Sequence, residues 1–282
     1  MKPSIQKFLG VLVTLILLGG MIFLRVKISY ESFDFQSSNF TFFWLSGRML
    51  LEGESPYDEA RYLAGHQTYG IKWQPNKIFP YPLPLAILCI PLGLLPLPAA
   101  YIAWQVITLC VIAWTIYALL SRWKRPSHTR LLVPLFAAMF FFGPVYLTLH
   151  TGSVGTIALA AAAGTILLLD KEKPLAAGAL LALTMLKPPQ GLTVLLLAGI
   201  WLLARKNWKA IYGVALGGIT LLAAGALLDP LWLNKFRGAS EAVMERTQGV
   251  HSNVWAFAYL ACGKTSPCWL LLGGALSLIL LG

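Results

Sequence analysis

The feature that most constrains this chain is a set of long apolar stretches that contain no charged residue. The clearest are Phe8–Leu24, Leu97–Leu120, Leu131–His150 and Ala210–Leu228. Each approaches the roughly 20 apolar residues with which an α-helix crosses about 30 Å of hydrocarbon. Lipid offers no hydrogen-bonding partner to backbone amides, so these stretches are predicted to be transmembrane helices. A composition of 57% hydrophobic and 12% charged residues, with a mean hydropathy of +0.70, excludes a water-soluble globular domain.

The net charge of +11 is concentrated in alternate loops. If the N-terminus is cytoplasmic, the cytoplasmic segments collect eleven basic residues and only two acidic ones. These segments are Lys2, Lys7, Ser121–Arg130, Asp170–Lys173 and Arg205–Lys209. The bias is the positive-inside signal of a multi-pass membrane protein, and it argues against a nucleic-acid partner.

The first apolar stretch is predicted to be an uncleaved signal anchor, because Lys2 and Lys7 precede it and no Ala-x-Ala site follows it. Residues 25–96 then form one long extracytoplasmic segment, which is too aromatic to be a disordered linker. Within it, Asn39–Glu52 has aromatic and leucine residues at helical spacing, as in an amphipathic helix of the membrane interface. Tyr81–Pro96 is apolar but short and rich in proline, so we predict a re-entrant or juxtamembrane hairpin.

The segment Pro174–Ala204 has two apolar halves on either side of Lys187. A single helix of this length would reach about 46 Å, so a hairpin is predicted. Each half is shorter than the hydrocarbon thickness, so Lys187 should lie below the outer surface in a polar cavity. A last external segment is predicted over residues 229–267. The sequence thus predicts one all-α membrane domain over residues 1–282, truncated at its C-terminus, with about eight transmembrane helices.

An ordered series of short motifs resembles a known family of membrane enzymes. In chain order they are Asp34-Phe35, Phe43-Trp44-Leu45-Ser46-Gly47-Arg48, Ser55-Pro56-Tyr57-Asp58, Tyr81-Pro82-Leu83-Pro84 and Leu186-Lys187-Pro188-Pro189. They resemble the polytopic glycosyltransferases of family 87, in particular its polyprenyl-phosphate-mannose-dependent mannosyltransferases. The chain departs from the family pattern at two places. It reads Thr151-Gly152-Ser153-Val154-Gly155 where many relatives have Gly-Gln and Asn, and Pro82-Leu83-Pro84 where the family has Pro-Pro.

The resemblance implies the type C glycosyltransferase fold, with its large extracytoplasmic first loop, and a polyprenyl-phosphate-linked sugar as donor. The sugar would be mannose or another hexose or pentose. It would be transferred to a glycan or glycolipid at the extracytoplasmic face of the bacterial inner membrane. The resemblance also implies that Asp34, at the acidic position of the family's first loop, is the catalytic base of an inverting transfer. The expected partners are membrane lipid, the lipid-linked donor and the acceptor, and no cofactor or metal is expected.

The residues themselves agree with this chemistry. Transfer from a sugar phosphate needs a base for the proton of the acceptor hydroxyl and a cation for the departing phosphate, and Asp34 and Lys187 can supply them. The alternative for Lys187 is a side chain that extends to the interface, but two prolines fix its backbone and its loop is on the less basic side. A lipid-linked donor also explains why no nucleotide-binding glycine loop and no paired-acid metal motif stands out.

Five further polar residues on the predicted external side are candidates. Arg48 and His251 are candidates for binding the donor phosphate, and Asp58, His150 and Gln190 for contacts with acceptor or donor. Simpler interpretations exist for four of them: an interfacial anchor for Arg48, a turn residue for Asp58 and ordinary interfacial side chains for the two histidines.

Cys262 and Cys268 flank a short polar segment on the predicted external side. An oxidising compartment would permit a disulfide there, so we predict that these two cysteines are bonded.

Two other function classes compete with the transferase. A transporter or lipid flippase would also use an external cavity, but ion-coupled carriers usually hold charges near mid-membrane, whereas here the charges cluster at loop ends. The third class, a non-catalytic subunit of an envelope assembly, stays open at this point.

Overall fold

The computed structural model describes residues 3–32, 36, 38–72, 78–122 and 128–247, together with 261, 262, 268, 271 and 272. No β-strand occurs among these residues, as the predicted all-helical class requires. The helices are α1 (Pro3–Ser32), α2 (Phe40–Leu51), α3 (Glu59–Thr68), α4 (Leu83–Leu88), α5 (Ile90–Gly93), α6 (Leu97–Ser121), α7 (His128–Phe141), α8 (Gly143–Thr151), α9 (Gly155–Asp170), α10 (Pro174–Ala182), α11 (Pro188–Ala204), α12 (Trp208–Leu228) and α13 (Trp232–Thr247). A 3₁₀ turn over Leu183–Leu186 follows α10.

Three helices in the described ranges are long and apolar enough to cross a membrane: Phe8–Lys27 within α1, Leu97–Ser121 (α6) and Trp208–Leu228 (α12). They contain three of the four stretches predicted to span. Shorter apolar helices are α2, α9, α11 and the segment Pro174–Leu186. By length, then, three described helices qualify as spans, fewer than the eight that were predicted.

The fourth predicted span, Leu131–His150, is divided into α7 and α8. The division falls at Phe142, which has an extended backbone (φ −80°, ψ 111°) and caps α8. Pro144 follows closely and has no N–H with which to continue the hydrogen-bonding pattern of α7, so one helix ends and another begins. The prediction of one continuous helix is wrong here, because apolar composition alone does not show where a helix breaks.

The two halves predicted around Lys187 are present as separate helical segments, α10 with its 3₁₀ turn and then α11. The first half packs tightly along α12 through glycines. A Cβ at Gly178 would overlap the carbonyl oxygen of Ala210, and a Cβ at Gly213 would overlap that of Leu175. Small residues allow membrane helices to approach this closely.

The basic loops and Lys187 lie at opposite ends of the bundle. Arg122, just after α6, donates from Nη2 to Oδ1 of Asp170 at the end of α9, at 3.0 Å. From there the chain turns into α10, which runs back along α9, with Thr165 donating from Oγ1 to the carbonyl of Ala177 at 3.1 Å. Lys187, beyond α10, therefore lies near the beginning of α9, away from the Arg122 loop.

The first loop, predicted over residues 25–96, folds as helices packed around α2. The first helix continues to Ser32, beyond the predicted start of the loop. Helix α2 is surrounded by α3, α4, α5 and α6, and Phe40, Phe43 and Leu45 are 0% exposed. The prediction of an amphipathic interfacial helix is therefore wrong, because neighbouring helices cover most of the surface of α2. The proline-rich segment 81–96 forms the two short helices α4 and α5.

The predicted disulfide is confirmed. Cys262 and Cys268 are bonded, with their Cα atoms 5.6 Å apart, which lies within the usual range for a disulfide.

Candidate functional site

A turn over residues 152–154 joins α8 to α9 and forms one wall of the candidate site. Gly152 ends α8 in the left-handed conformation, with φ +65°, which glycine adopts without strain. A Cβ at this position would also lie only 2.7 Å from Cβ of Phe40 on α2. The backbone angle and the close approach of α2 therefore both favour glycine here.

Helix α6 holds this turn through two side chains. Gln105 donates from Nε2 to the carbonyl of Leu149 at 2.8 Å, and Trp104 donates from Nε1 to the carbonyl of Gly152 at 3.2 Å. These carbonyls are at the end of α8, where the regular hydrogen bonding of the helix stops. The bonds therefore satisfy groups at a helix end and fix the turn against α6.

Lys187 reaches the same turn from the start of α11. Its ammonium donates to Oγ of Ser153 at 2.6 Å. Pro188 and Pro189 open α11, and their fixed φ suits the first turn of a helix, so the backbone that carries the lysine is restrained. The side chain is half-buried, and this burial lowers the pKa of its ammonium from the ordinary value because the charged form loses hydration.

Gly155, the first residue of α9, leaves an open space between three polar groups. A Cβ at this position would lie 3.2 Å from Oε1 of Gln190, 3.8 Å from Nζ of Lys187 and 3.9 Å from Oγ of Ser153. An amide, an ammonium and a hydroxyl thus face one small space. A ligand oxygen at this point could accept hydrogen bonds from the ammonium and the hydroxyl, whereas Oε1 of Gln190 is itself an acceptor.

The helix ends at this space also carry positive charge. Helices α9 and α11 both begin beside Lys187, and a helix N-terminus bears about half a positive charge. The prolines of α11 lack N–H groups, so α11 contributes its dipole, whereas α9 also offers backbone donors. An ammonium placed against two helix N-termini is unfavourable unless an anion joins it. The arrangement therefore favours binding of an anion such as phosphate.

Two candidates, Asp34 and His251, lie outside the described residues. Asn39, five residues after Asp34, is described. The backbone N–H of Asn39 donates to the carbonyl of Thr151 at 2.8 Å, next to the turn that Lys187 contacts. Five residues of extended chain span at most about 18 Å, which limits how far Asp34 can lie from Asn39.

Arg48 belongs to a different cluster. It lies about 14 Å along α2 from Asn39, at the end away from the Ser153 turn. Its Nε donates to Oε1 of Glu52 at 2.7 Å and to the hydroxyl of Tyr69 at 3.2 Å. Arg48 and Tyr69 border an open cavity of about 340 Å³ that Trp44 and residues 94–97 also line. The structure does not bring Arg48 together with Lys187.

Asp58 and His150 have local roles in the structure, whereas Gln190 lies at the Lys187 site. Asp58 caps α3 by accepting a hydrogen bond from the backbone N–H of Arg61 at 3.0 Å. The ring of His150 stacks on Tyr146, with centroids 5.6 Å apart. Among the described candidates, Lys187 and Gln190 are the two that meet at the space beside Gly155.

Ser153 and Gly155 are site residues that the sequence did not single out. They appeared there only within a departure from a family pattern. The available signal is a Gly-Ser-x-Gly run between two apolar stretches, which is typical of a tight connection between helices.

Within the ranges that the structure describes, no three His, Cys, Asp or Glu side chains are grouped so that they could hold a metal ion.

Comparison with known proteins identifies one family. The model of glycosyltransferase family 87 matches residues 79–282, which is more than half of the chain. The matched range includes Lys187, Gln190 and the Ser153 turn, and Asp34 precedes it. No curated protein and no solved structure matches the chain.

Proposed function

We propose, from the premise that this chain belongs to glycosyltransferase family 87, that it transfers a sugar from a polyprenyl-phosphate donor. The acceptor is a glycan or glycolipid at the extracytoplasmic face of a bacterial inner membrane. Membership of the family implies a membrane glycosyltransferase, and the long apolar helices agree with it. The donor class, the sugar (mannose or another hexose or pentose), the inverting mechanism and the side of the membrane are parts of the proposal.

The observation that carries the proposal is the placement of Lys187. Its ammonium faces the beginnings of α9 and α11 and borders the open space beside Gly155. This setting favours a phosphate group. It lies at the end of an apolar bundle, where a donor with its phosphate attached to a membrane-embedded chain would present that phosphate.

The proposed reaction balances as a displacement at the anomeric carbon. The acceptor oxygen attacks C1 of the sugar from the side opposite the phosphate and forms the new glycosidic bond. The bond between C1 and the phosphate oxygen breaks, and its electron pair leaves with polyprenyl phosphate. The Asp34 carboxylate takes the proton of the acceptor hydroxyl, while Lys187 stabilises the charge on the departing phosphate. Attack from the opposite side inverts the configuration at C1.

The position of the chain after Asp34 supports a shared site. The backbone N–H of Asn39 donates a hydrogen bond to the carbonyl of Thr151, two residues before Ser153. Ser153 in turn accepts a hydrogen bond from the ammonium of Lys187. At most about 18 Å of extended chain separates Asp34 from Asn39. Gln190 turns Oε1 toward the same space, where it could accept a hydrogen bond from a sugar hydroxyl.

An assay of the purified protein in lipid vesicles tests the proposal. A panel of labelled polyprenyl-phosphate sugars is offered with a glycolipid acceptor, and the same sugars as nucleotide donors serve as the matched control. We expect transfer from a polyprenyl-phosphate sugar and none from the nucleotide sugars. Transfer only from a nucleotide sugar would overturn the donor class. Movement of intact donor across the bilayer without transfer would favour the flippase alternative.

The side of the membrane is tested by cysteine labelling in intact cells. In a background with Cys89 and Cys110 replaced by alanine, Glu59→Cys should react with an impermeant thiol reagent and Ser127→Cys should react only after permeabilisation. The expectation follows from the basic loop that contains Ser127. Reaction of Ser127→Cys in intact cells would reverse the orientation.

A further inference from the structure

The contact between Lys187 and Ser153 has a physical consequence for donor binding. A lysine side chain is a flexible stem, and its ammonium is a point charge without a preferred direction. In the described part of the chain, the side-chain hydrogen bond of Lys187 runs to Oγ of Ser153 at 2.6 Å. One short hydrogen bond to a fixed turn therefore sets the position of the ammonium.

The turn that carries Ser153 is itself rigid. Oγ of Ser153 also accepts a hydrogen bond from the backbone N–H of Gly155 at 3.4 Å, which connects the serine to the first residue of α9. Trp104 holds the preceding Gly152. Ser153 thus links the lysine of one helical hairpin to the N-terminus of another helix.

Gly155 leaves room next to this contact. A Cβ there would approach Oε1 of Gln190 to 3.2 Å, which is closer than nine in ten real Cβ contacts, and would occupy the space that Lys187 and Ser153 face. A side chain at this position would therefore compete with a ligand oxygen for the same volume.

We infer that Ser153 is a positioning residue for donor binding, which holds the Lys187 ammonium at the start of α9, and that Gly155 keeps open the space in which the ammonium meets the donor phosphate. The inference rests on the proposed role of Lys187. It adds a specific pair of residues that neither the family match nor the reaction assigns.

Replacement of Ser153 by alanine tests the positioning role. Loss of one hydrogen bond should raise the KM for donor by about 3- to 10-fold, while kcat stays within about twofold. The matched control is Ser121→Ala, because Ser121 donates to the carbonyl of Ala118 at the opposite end of the bundle. We expect wild-type kinetics from this control. An unchanged donor KM in Ser153→Ala would overturn the inference.

A double-mutant cycle separates this inference from the proposed function. If Ser153 acts through the lysine, Ser153→Ala should have little further effect on donor KM in a Lys187→Ala background. An effect of equal size in both backgrounds would show that the serine acts independently and would overturn the positioning role. If Lys187→Ala itself leaves donor KM unchanged, the proposed phosphate site fails. If Lys187→Ala weakens donor binding and Ser153→Ala does not, only the present inference fails.

Replacement of Gly155 by alanine tests the open space. We expect a higher donor KM without a lower melting temperature, because alanine is a better helix former than glycine. Gly199→Ala is the matched control, since nothing lies within 4 Å of a Cβ at that position of α11. A wild-type donor KM in Gly155→Ala would overturn the role assigned to this glycine.

Discussion

The two ends of the helix bundle carry the same kind of charge, but the helix ends beside the cations and the burial of the cations differ. At one end, Arg122, Lys171 and Arg205 directly follow α6, α9 and α11. Cations at helix C-termini are stabilised by the helix dipole, so these residues need no ligand. Lysines also stand at the starts of α10 and α12 at this end, but they are exposed to water. At the other end, Lys187 faces the N-termini of α9 and α11, where a cation is disfavoured unless an anion is present. Counting charges thus indicates topology, whereas helix polarity together with the partial burial of Lys187 distinguishes a site from a topological signal.

The largest expected effect tests whether the chemistry belongs to the Lys187 end. Asp34→Asn keeps the shape of the side chain but removes its ability to accept a proton. We expect kcat to fall by about 10²- to 10⁴-fold, with donor binding nearly intact. Single-turnover kinetics and donor titration measure the two quantities separately. Asp170→Asn at the basic end is the matched control and should retain activity, because its ion pair with Arg122 is partly exposed. Near-normal turnover in Asp34→Asn would remove the base assignment.

The next effect compares lysines at the two ends. Lys187→Ala removes a charge-assisted contact to the donor phosphate, so the affinity for donor should fall by about 10- to 100-fold. Lys171→Ala removes an exposed lysine after α9 and should leave donor affinity unchanged. Titration with polyprenyl phosphate alone measures the affinity without turnover. Equal effects of the two substitutions would contradict the distinction between the two ends.

The sequence predicted the parts of this comparison that depend on local composition. Apolar stretches predicted the long helices. The basic loops predicted that the end of α6 and the end of α9 lie on the same side of the bundle. The two prolines after Lys187 predicted a junction at that residue. Short separation along the chain and a shared compartment predicted the disulfide of Cys262 and Cys268.

The remaining features depend on tertiary contacts, which composition does not contain. The apolar side chains of α2 suit an interfacial helix as well as a buried one, and only its packing against α4, α5 and α6 decides between them. Ser153 and Lys187 are 34 residues apart, and each belongs to a different helical segment. A contact at that separation follows from how α9 and the Lys187 hairpin pack, so the sequence indicated the lysine but not its partner.

The tight seam between α10 and α12 gives a smaller, structural effect. A Cβ at Gly178 would overlap the backbone of Ala210, so Gly178→Ala should force the hairpin away from α12 and cost about 1–3 kcal/mol of stability. Because the hairpin carries Lys187, donor affinity should also fall. Gly218→Ala on α12 is the control, since nothing lies within 4 Å of its Cβ. Thermal unfolding in detergent measures the stability of both variants. Equal melting temperatures for the two would contradict the tight packing of this seam.

The last expected effect is on stability alone and concerns the first loop, which packs around α2. His66 on α3 is 0% exposed, and neither ring nitrogen has a hydrogen-bonding partner among the described residues. Its ring lies against Tyr62 and Phe42, with centroids 4.9 and 6.3 Å away. Burial lowers the pKa of His66 to about 4, because the charged imidazolium would lose its hydration without gaining a partner.

The pKa of His66 predicts acid sensitivity of this loop. The folded loop holds the histidine neutral, whereas the unfolded chain takes up a proton near pH 6.5, so the unfolded state binds more protons between pH 6.5 and 4. The free energy of unfolding should be highest above pH 6.5 and lower by about 2 kcal/mol at pH 5. His66→Phe keeps an aromatic ring but cannot be protonated, so its unfolding should depend much less on pH over this range. Thermal unfolding at pH 7.5 and pH 5 compares the two proteins. An equal loss of stability in both would show that the acid sensitivity arises elsewhere, and no loss in the wild type would mean that His66 is hydrated in the folded loop.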